Sequence, residues 1–133
     1  MNVADWMTKH PECINANESL QTALQKLIEL DVRHLPVVDD GELVGMLSHR
    51  DLSGYMGQAL GDSSKYIAML DQPVSKLMSA DVISASPETE LGDVIDLLLE
   101  NKIGALPVVE DHLGKLVGII SYVDVLRALR DTI

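Results

Sequence analysis

With 133 residues, 47% of them hydrophobic, the chain has enough apolar material for a packed core, and with 3% aromatics and no Phe that core must be aliphatic. A net charge of −11 supplies no basic face to release counterions from phosphates, which argues against nucleic acid and anionic membrane as partners. The single Cys13 cannot close an internal disulfide, no apolar run approaches the ~20 residues of a membrane span, and residues 1–12 lack the basic and apolar regions of a signal peptide, a pattern that fits a cytoplasmic protein.

In chain order, Trp6 anchors an N-terminal segment that leads to a short extended stretch at 13–15. Leu20, Leu24, Leu27 and Ile28 then fall at helical spacing within 19–31. Two extended runs, 35–38 and 43–47, flank Asp39-Asp40-Gly41-Glu42, whose residues tolerate positive φ, and so predict a hairpin. A second helix opens at Ser48. A looser connector over 53–73 carries Gly54, Gly57 and Gly61 and ends in a short helical piece at 65–70, before Pro73. The order then recurs: extended at 84–86, a helix over 91–101 with Leu91, Ile95, Leu98 and Leu99 on one face, a hairpin turning through 110–115, and a helix opening at Ser121.

The recurrence is an internal repeat. Met7-Thr8 and Met78-Ser79 stand 71 positions apart, as do Leu20 and Leu91, and Leu35-Pro36-Val37-Val38 and Leu106-Pro107-Val108-Val109. Beyond the hairpin turn the offset becomes 73, for Gly45 and Gly118, Ser48 and Ser121, Asp51 and Asp124. One two-residue insertion in a turn accounts for the difference. Each half reads β-α-β-β-α, an α/β (α+β) class, with a first repeat at 1–52, the connector at 53–73 and a second repeat at 74–133. At roughly 50 residues a half buries too little apolar surface alone. Two copies packed sheet to sheet about a pseudo-twofold axis overcome that.

Met-Thr/Ser, a Leu thirteen positions on, His/Ala-Leu-Pro-Val-Val and Gly-x-x-Ser-x-x-Asp (Gly45 to Asp51, Gly118 to Asp124) together resemble the cystathionine β-synthase (CBS) domain family, here as a tandem pair forming a stand-alone Bateman module. The resemblance implies a disc-like homodimer that regulates another protein. It also implies clefts between the paired repeats that take an adenosyl ligand, whether AMP, ADP, ATP or S-adenosylmethionine, as a regulatory ligand with no catalytic cofactor. The motif Asp would grip the ribose diol and the motif Ser would face the phosphates. Carried onto this chain, one site combines Ser48 and Asp51 with Ile83, Ile103, Gly104 and Ala105. The other combines Ser121 and Asp124 with Glu12, Val32, Arg33 and His34.

Ser48-x-x-Asp51 and Ser121-x-x-Asp124 also have a purely structural reading as capping boxes. The two readings are compatible, because a helix N-terminus offers free N–H groups and a positive dipole end to a phosphate, while a carboxylate accepts both donors of a ribose diol. The first repeat places Arg33, His34, His49 and Arg50 where the second has Gly104, Ala105, Tyr122 and Val123. Arg33 and Arg50 are either phosphate contacts or ordinary surface arginines pairing with some of the 21 acids. Gly104-Ala105 either leave room for an adenine ring or allow tight packing. The expectation is one main site, built on Ser48, His49, Arg50 and Asp51.

Catalysis is not expected. Ser48, His49 and Asp51 are neighbours on one helical turn and point in different directions, so they cannot align as a hydrolytic triad. His10, His34, His49 and His112 have no metal-ligand spacing, and no Gly-rich phosphate loop with its Lys is present. A dimerising adaptor that binds no small molecule is the alternative to ligand sensing.

Overall fold

Two compact units emerge, and each draws on both halves of the sequence. In this computed structural model residues 1–110 and 114–133 are described; Asp111, His112 and Leu113, in the turn expected over 110–115, lie outside the described residues. In chain order the elements are α1 (Val3–Trp6), β1 (Thr8–Lys9), β2 (Ile14–Asn15), α2 (Leu20–Glu29), β3 (His34–Asp39), β4 (Glu42–Ser48), α3 (His49–Met56), a 3-10 turn (Gly57–Ala59), α4 (Ser63–Leu70), a second 3-10 turn (Val74–Lys76), α5 (Leu91–Asn101), β5 (Ala105–Glu110), β6 (Lys115–Ser121) and α6 (Tyr122–Thr132). The mixed α/β class matches the expectation. The first unit comprises Glu12–Asp40 and Val44–Val82; the second comprises Met1–Pro11, Gly41–Leu43 and Ile83–Ile133.

In the first unit β2 runs parallel to β3, with Ile14 opposite Val37, and β4 lies on the other side of β3. Ser19 starts α2 by accepting a hydrogen bond from the Thr22 amide at 3.2 Å, and the helix turns Leu20, Ala23 and Leu27 inward. Asp40 and Gly41 take φ of 50° and 80°, the paired positive values that a tight hairpin turn requires. The helical piece expected at 65–70 begins two residues earlier, at Ser63. Met56, Ala59 and Met69, from the stretch read as a connector, are buried with Ile14, Leu35, Val37, Leu47 and Leu52 in this unit's core.

In the second unit β5 and β6 form an antiparallel hairpin from Ala105 opposite Ser121 to Glu110 opposite Lys115, and β1 pairs the other edge of β6. The strand expected at 84–86 reduces to a single bridge. Only Ala85 pairs, donating to the Pro107 carbonyl and accepting from the Val109 amide. Val3, Leu91, Val94, Leu106, Val108 and Ile120 are buried in an aliphatic core, against which Trp6 packs.

The units are built alike. In the second, the amides of Val3, Ala4 and Leu91 donate to the carbonyls of Thr89, Pro87 and Met1. In the first, the repeat-equivalent amides of Val74, Ser75 and Leu20 donate to Glu18, Ala16 and Gln72. Each unit is therefore closed by a segment from the start of the other repeat. Among the described residues no helix is long and apolar enough to cross a membrane.

Candidate functional site

Strand β4 ends at Ser48, whose side chain accepts a hydrogen bond from the Asp51 amide at 3.0 Å and so starts α3. The His49 amide donates to the Arg33 carbonyl at 2.8 Å, which draws the entry of β3 to the start of the helix. His34 is half-buried there; burial pushes its pKa below the ordinary value, the Asp51 carboxylate partly opposes that, and the Arg33 guanidinium adds to it. Arg33, His49, Arg50 and Asp51 are all exposed. The Asp51 carboxylate accepts no hydrogen bond from any described residue, and Ser48 caps the helix through the Asp51 backbone alone.

Arg50, Asp51, Gly54, Tyr55 and Gln58 line an open cavity of about 380 Å³, together with Leu77 and Ser79. Its size falls within the usual range of small-molecule pockets. Gly54, Tyr55 and Gln58 were not anticipated from sequence, although Gly54 and Tyr55 stand three and four positions beyond Asp51 on the same helix face and Gln58 lies in the 3-10 turn that follows. Leu77 and Ser79 had no local signal, because their place here depends on the segment that closes the unit.

The matching helix start in the second unit is chemically different. Ser121 accepts from the Asp124 amide at 3.3 Å, and the Asp124 Oδ2 accepts from the Ser121 amide at 2.9 Å and from the Ser121 hydroxyl at 3.2 Å. This is a full reciprocal capping box. The other carboxylate oxygen, Oδ1, faces the Arg127 guanidinium at 3.5 Å, and Asp124 is only 9% exposed. The Tyr122 amide donates to the Gly104 carbonyl at 3.1 Å, the counterpart of the His49–Arg33 bond. Ala105 is buried and Ile103 is exposed.

Of the residues expected at sites, the first unit therefore holds Glu12, Val32, Arg33, His34, Ser48, His49, Arg50 and Asp51, and the second holds Ile83, Ile103, Gly104, Ala105, Ser121 and Asp124. Within its own unit each motif Ser-Asp pair is joined by the residues just before the Leu-Pro strand: Arg33 and His34 at α3, Gly104 at α6. Among the described residues no group of three or more His, Cys, Asp and Glu side chains is placed to hold a metal ion.

The CBS domain family model matches residues 3–57 and 74–131. The CBS domain-containing protein YhcV of Bacillus subtilis is 32% identical over 123 residues, covering 92% of this chain and 81% of YhcV. Two further relatives, MJ1225 and MJ1232 of Methanocaldococcus jannaschii, are longer, and the chain spans 46% and 40% of their lengths. The CBS domain pair of protein MJ0100, solved in complex with 5′-methylthioadenosine and S-adenosyl-L-methionine, superposes with a TM-score of 0.83 at 27% identity, covering 100% of this chain and 98% of that one. CBSX2 of Arabidopsis thaliana, solved in complex with AMP, gives a TM-score of 0.84 at 34% identity, over 98% of this chain and 97% of that one. Both copies of the repeat are thus matched over nearly their full extent, and the chain belongs to the CBS domain family as a tandem pair of CBS repeats.

Proposed function

We propose that this chain is a regulatory module that senses an adenosyl ligand, with Asp51 holding the ribose. The observation that carries this reading is the exposed Asp51 carboxylate, without a hydrogen-bonding partner among the described residues, on the lip of the cavity along α3. A carboxylate that only accepts is matched to the two donors of a 2′,3′-diol. The ligands of the MJ0100 pair and of CBSX2 differ in charge and in their 5′ substituent but share an adenine-bearing ribose. What they have in common is the base and the diol, which is the part Asp51 is suited to hold.

A 5′ phosphate would be served by the N-terminus of α3, with Ser48, His49 and Arg50, and by Arg33 and His34 beside it. In a chain of net charge −11 such a local group of cations is needed to offset the surrounding field. Titration calorimetry with AMP, ADP, ATP and S-adenosylmethionine tests the reading; no heat and no thermal shift with any of the four would sink it.

The module acts as a homodimer in the cytoplasm and transmits ligand binding to a protein it regulates. Tyr122, Leu126 and Leu129 support the dimer: they stand at helical spacing along α6 and are 50%, 59% and 40% exposed. The same stripe suits the adaptor reading, which requires dimerisation but no ligand, and the calorimetric titration separates the two.

A further inference from the structure

The two copies of the Ser-x-x-Asp motif differ in what stands three residues beyond the Asp. In the first repeat it is Gly54; in the second, 73 positions on, it is Arg127. Gly54 lies inside α3, where glycine is a poor helix former. Nothing in the packing calls for it, since a Cβ built there would meet no atom within 4 Å and its φ is not positive. Its effect is open space beside Asp51, and it lines the cavity. Arg127 occupies the corresponding position beside Asp124, with its Nη1 3.5 Å from the carboxylate, whose side chain is 12% exposed. The remaining oxygen of Asp124 is taken by the Ser121 amide and hydroxyl.

We propose that Arg127 is a built-in occupant of the second motif: its guanidinium takes the place that ligand donors would need at Asp124, so the pair carries one adenosyl site per chain, at Asp51 opposite Gly54. This rests on the reading of Asp51 as the ribose-holding carboxylate. Arg127 is then a specificity-determining residue, because it decides which of two otherwise similar motifs is available. A guanidinium supplies N–H donors to a carboxylate in the same sense as a diol supplies O–H donors. The two compete for one acceptor.

The chain and three variants test this with AMP as the probe. Titration calorimetry should give one AMP per chain for the wild type and a second binding event for Arg127→Ala, with loss of that second event in Arg127→Ala combined with Asp124→Ala. Gly54→Arg, whose Cβ would meet no atom within 4 Å, should lose the first site. Alanine is the better helix former at position 127, so helix stability is not at risk. A ligand-free measurement runs beside it: carbodiimide-driven amidation with peptide mapping should modify Asp51 readily and Asp124 slowly in the wild type, with Asp124 modified severalfold faster in Arg127→Ala. If the wild type binds no AMP but Asp124 is protected and then freed in this way, the ribose reading of Asp51 fails and the Arg127 lock stands. Equal modification of Asp124 in both chains, or two AMP per chain in the wild type, overturns the lock.

Discussion

Met78 lies so close to Gly45 that a Cβ on the glycine would sit 2.5 Å from the methionine sulfur and 3.0 Å from the Ser79 carbonyl oxygen. The second unit repeats the arrangement, with Met7 against Gly118 at 2.5 Å and the Thr8 carbonyl oxygen at 3.0 Å. A flexible thioether can swing aside, but a backbone carbonyl held in a strand pairing cannot. Met46 and Ser79 exchange both amide hydrogen bonds, at 3.0 and 2.9 Å, immediately beside Gly45. Gly45→Ala should therefore cost about 1–3 kcal/mol through overpacking, and Gly118→Ala a similar amount. Urea denaturation measures it. Gly54→Ala, with nothing to meet, should instead stabilise by up to about 1 kcal/mol through helix propensity.

The two motif aspartates should respond in opposite ways. Asp51→Ala removes a carboxylate that supports no described hydrogen bond and keeps the amide that Ser48 caps, so its melting point should hardly move. Its affinity for AMP should fall roughly 10- to 100-fold if a charged hydrogen bond of about 1.5–3 kcal/mol is lost. Asp124→Ala breaks the reciprocal box at Ser121 and should lower stability by about 0.5–2 kcal/mol, with AMP affinity retained. Calorimetric titration and thermal melts on both variants check this pairing. A stability loss at Asp51 with unchanged affinity would reduce that residue to a helix cap.

His34 gives the fold a pH dependence of definite sign. Burial lowers its pKa in the folded chain below the ordinary 6.5, with Asp51 acting in the opposite direction and Arg33 in the same one. The folded state thus binds the proton less readily than the unfolded chain. Its contribution to stability is complete above pH 6.5, declines as the pH falls below that value, and levels off once the folded-state pKa is passed. His34→Gln should flatten this part of a stability-against-pH curve. Asp51→Asn removes the attraction that favours the protonated ring, so the histidine resonance in an NMR titration should move to a still lower midpoint.

The exposed stripe on α6 predicts the behaviour of the chain in solution. Leu126, 59% exposed near the middle of that stripe, can be replaced by Asp without disturbing the buried Val125 and Ala128 on the opposite side of the helix. Sedimentation at micromolar concentration should show a dimer for the wild type and a shift toward the 14.5 kDa monomer for Leu126→Asp. A wild type that sediments as a monomer would remove the dimer from the proposal.

Features with a local cause could be read from the sequence. The spacing of Leu20, Leu24 and Leu27 gave α2 to within two residues at its C-terminal end, and α5 spans the residues expected. Ser48 and Ser121 were recognisable as helix starts because cap chemistry lies within three residues. Features with a distant cause were not. Helix α1 and strand β1 have four and two residues, too short to show a period, and they are held by β6 and by the backbone before α5. Ala85 keeps its pairing while its neighbours lose theirs, which no pattern in Ser84-Ala85-Ser86 announces. The repeat marked Gly45 and Gly118 as important, but the reason lies in methionines 33 and 111 positions away. At the candidate site the motif residues were legible, whereas the contrast between Gly54 and Arg127 fell partly in a stretch whose glycines read as linker.

The exchange of leading segments between the units also sets a timetable for synthesis. Residues 12–82 contain the whole of the first unit as a nearly contiguous block, interrupted only by Gly41–Leu43, which group with the other unit. The second unit cannot close so early. Its Val3 amide waits for the Thr89 carbonyl, and β1 waits for β6, more than a hundred residues downstream. Such long sequence separations slow folding, and until they are satisfied residues 1–11 lack their partners in the second unit, with Val3, Trp6 and Met7 in water. During translation this short segment waits for partners made after it, and a transient cover would shield its apolar side chains meanwhile.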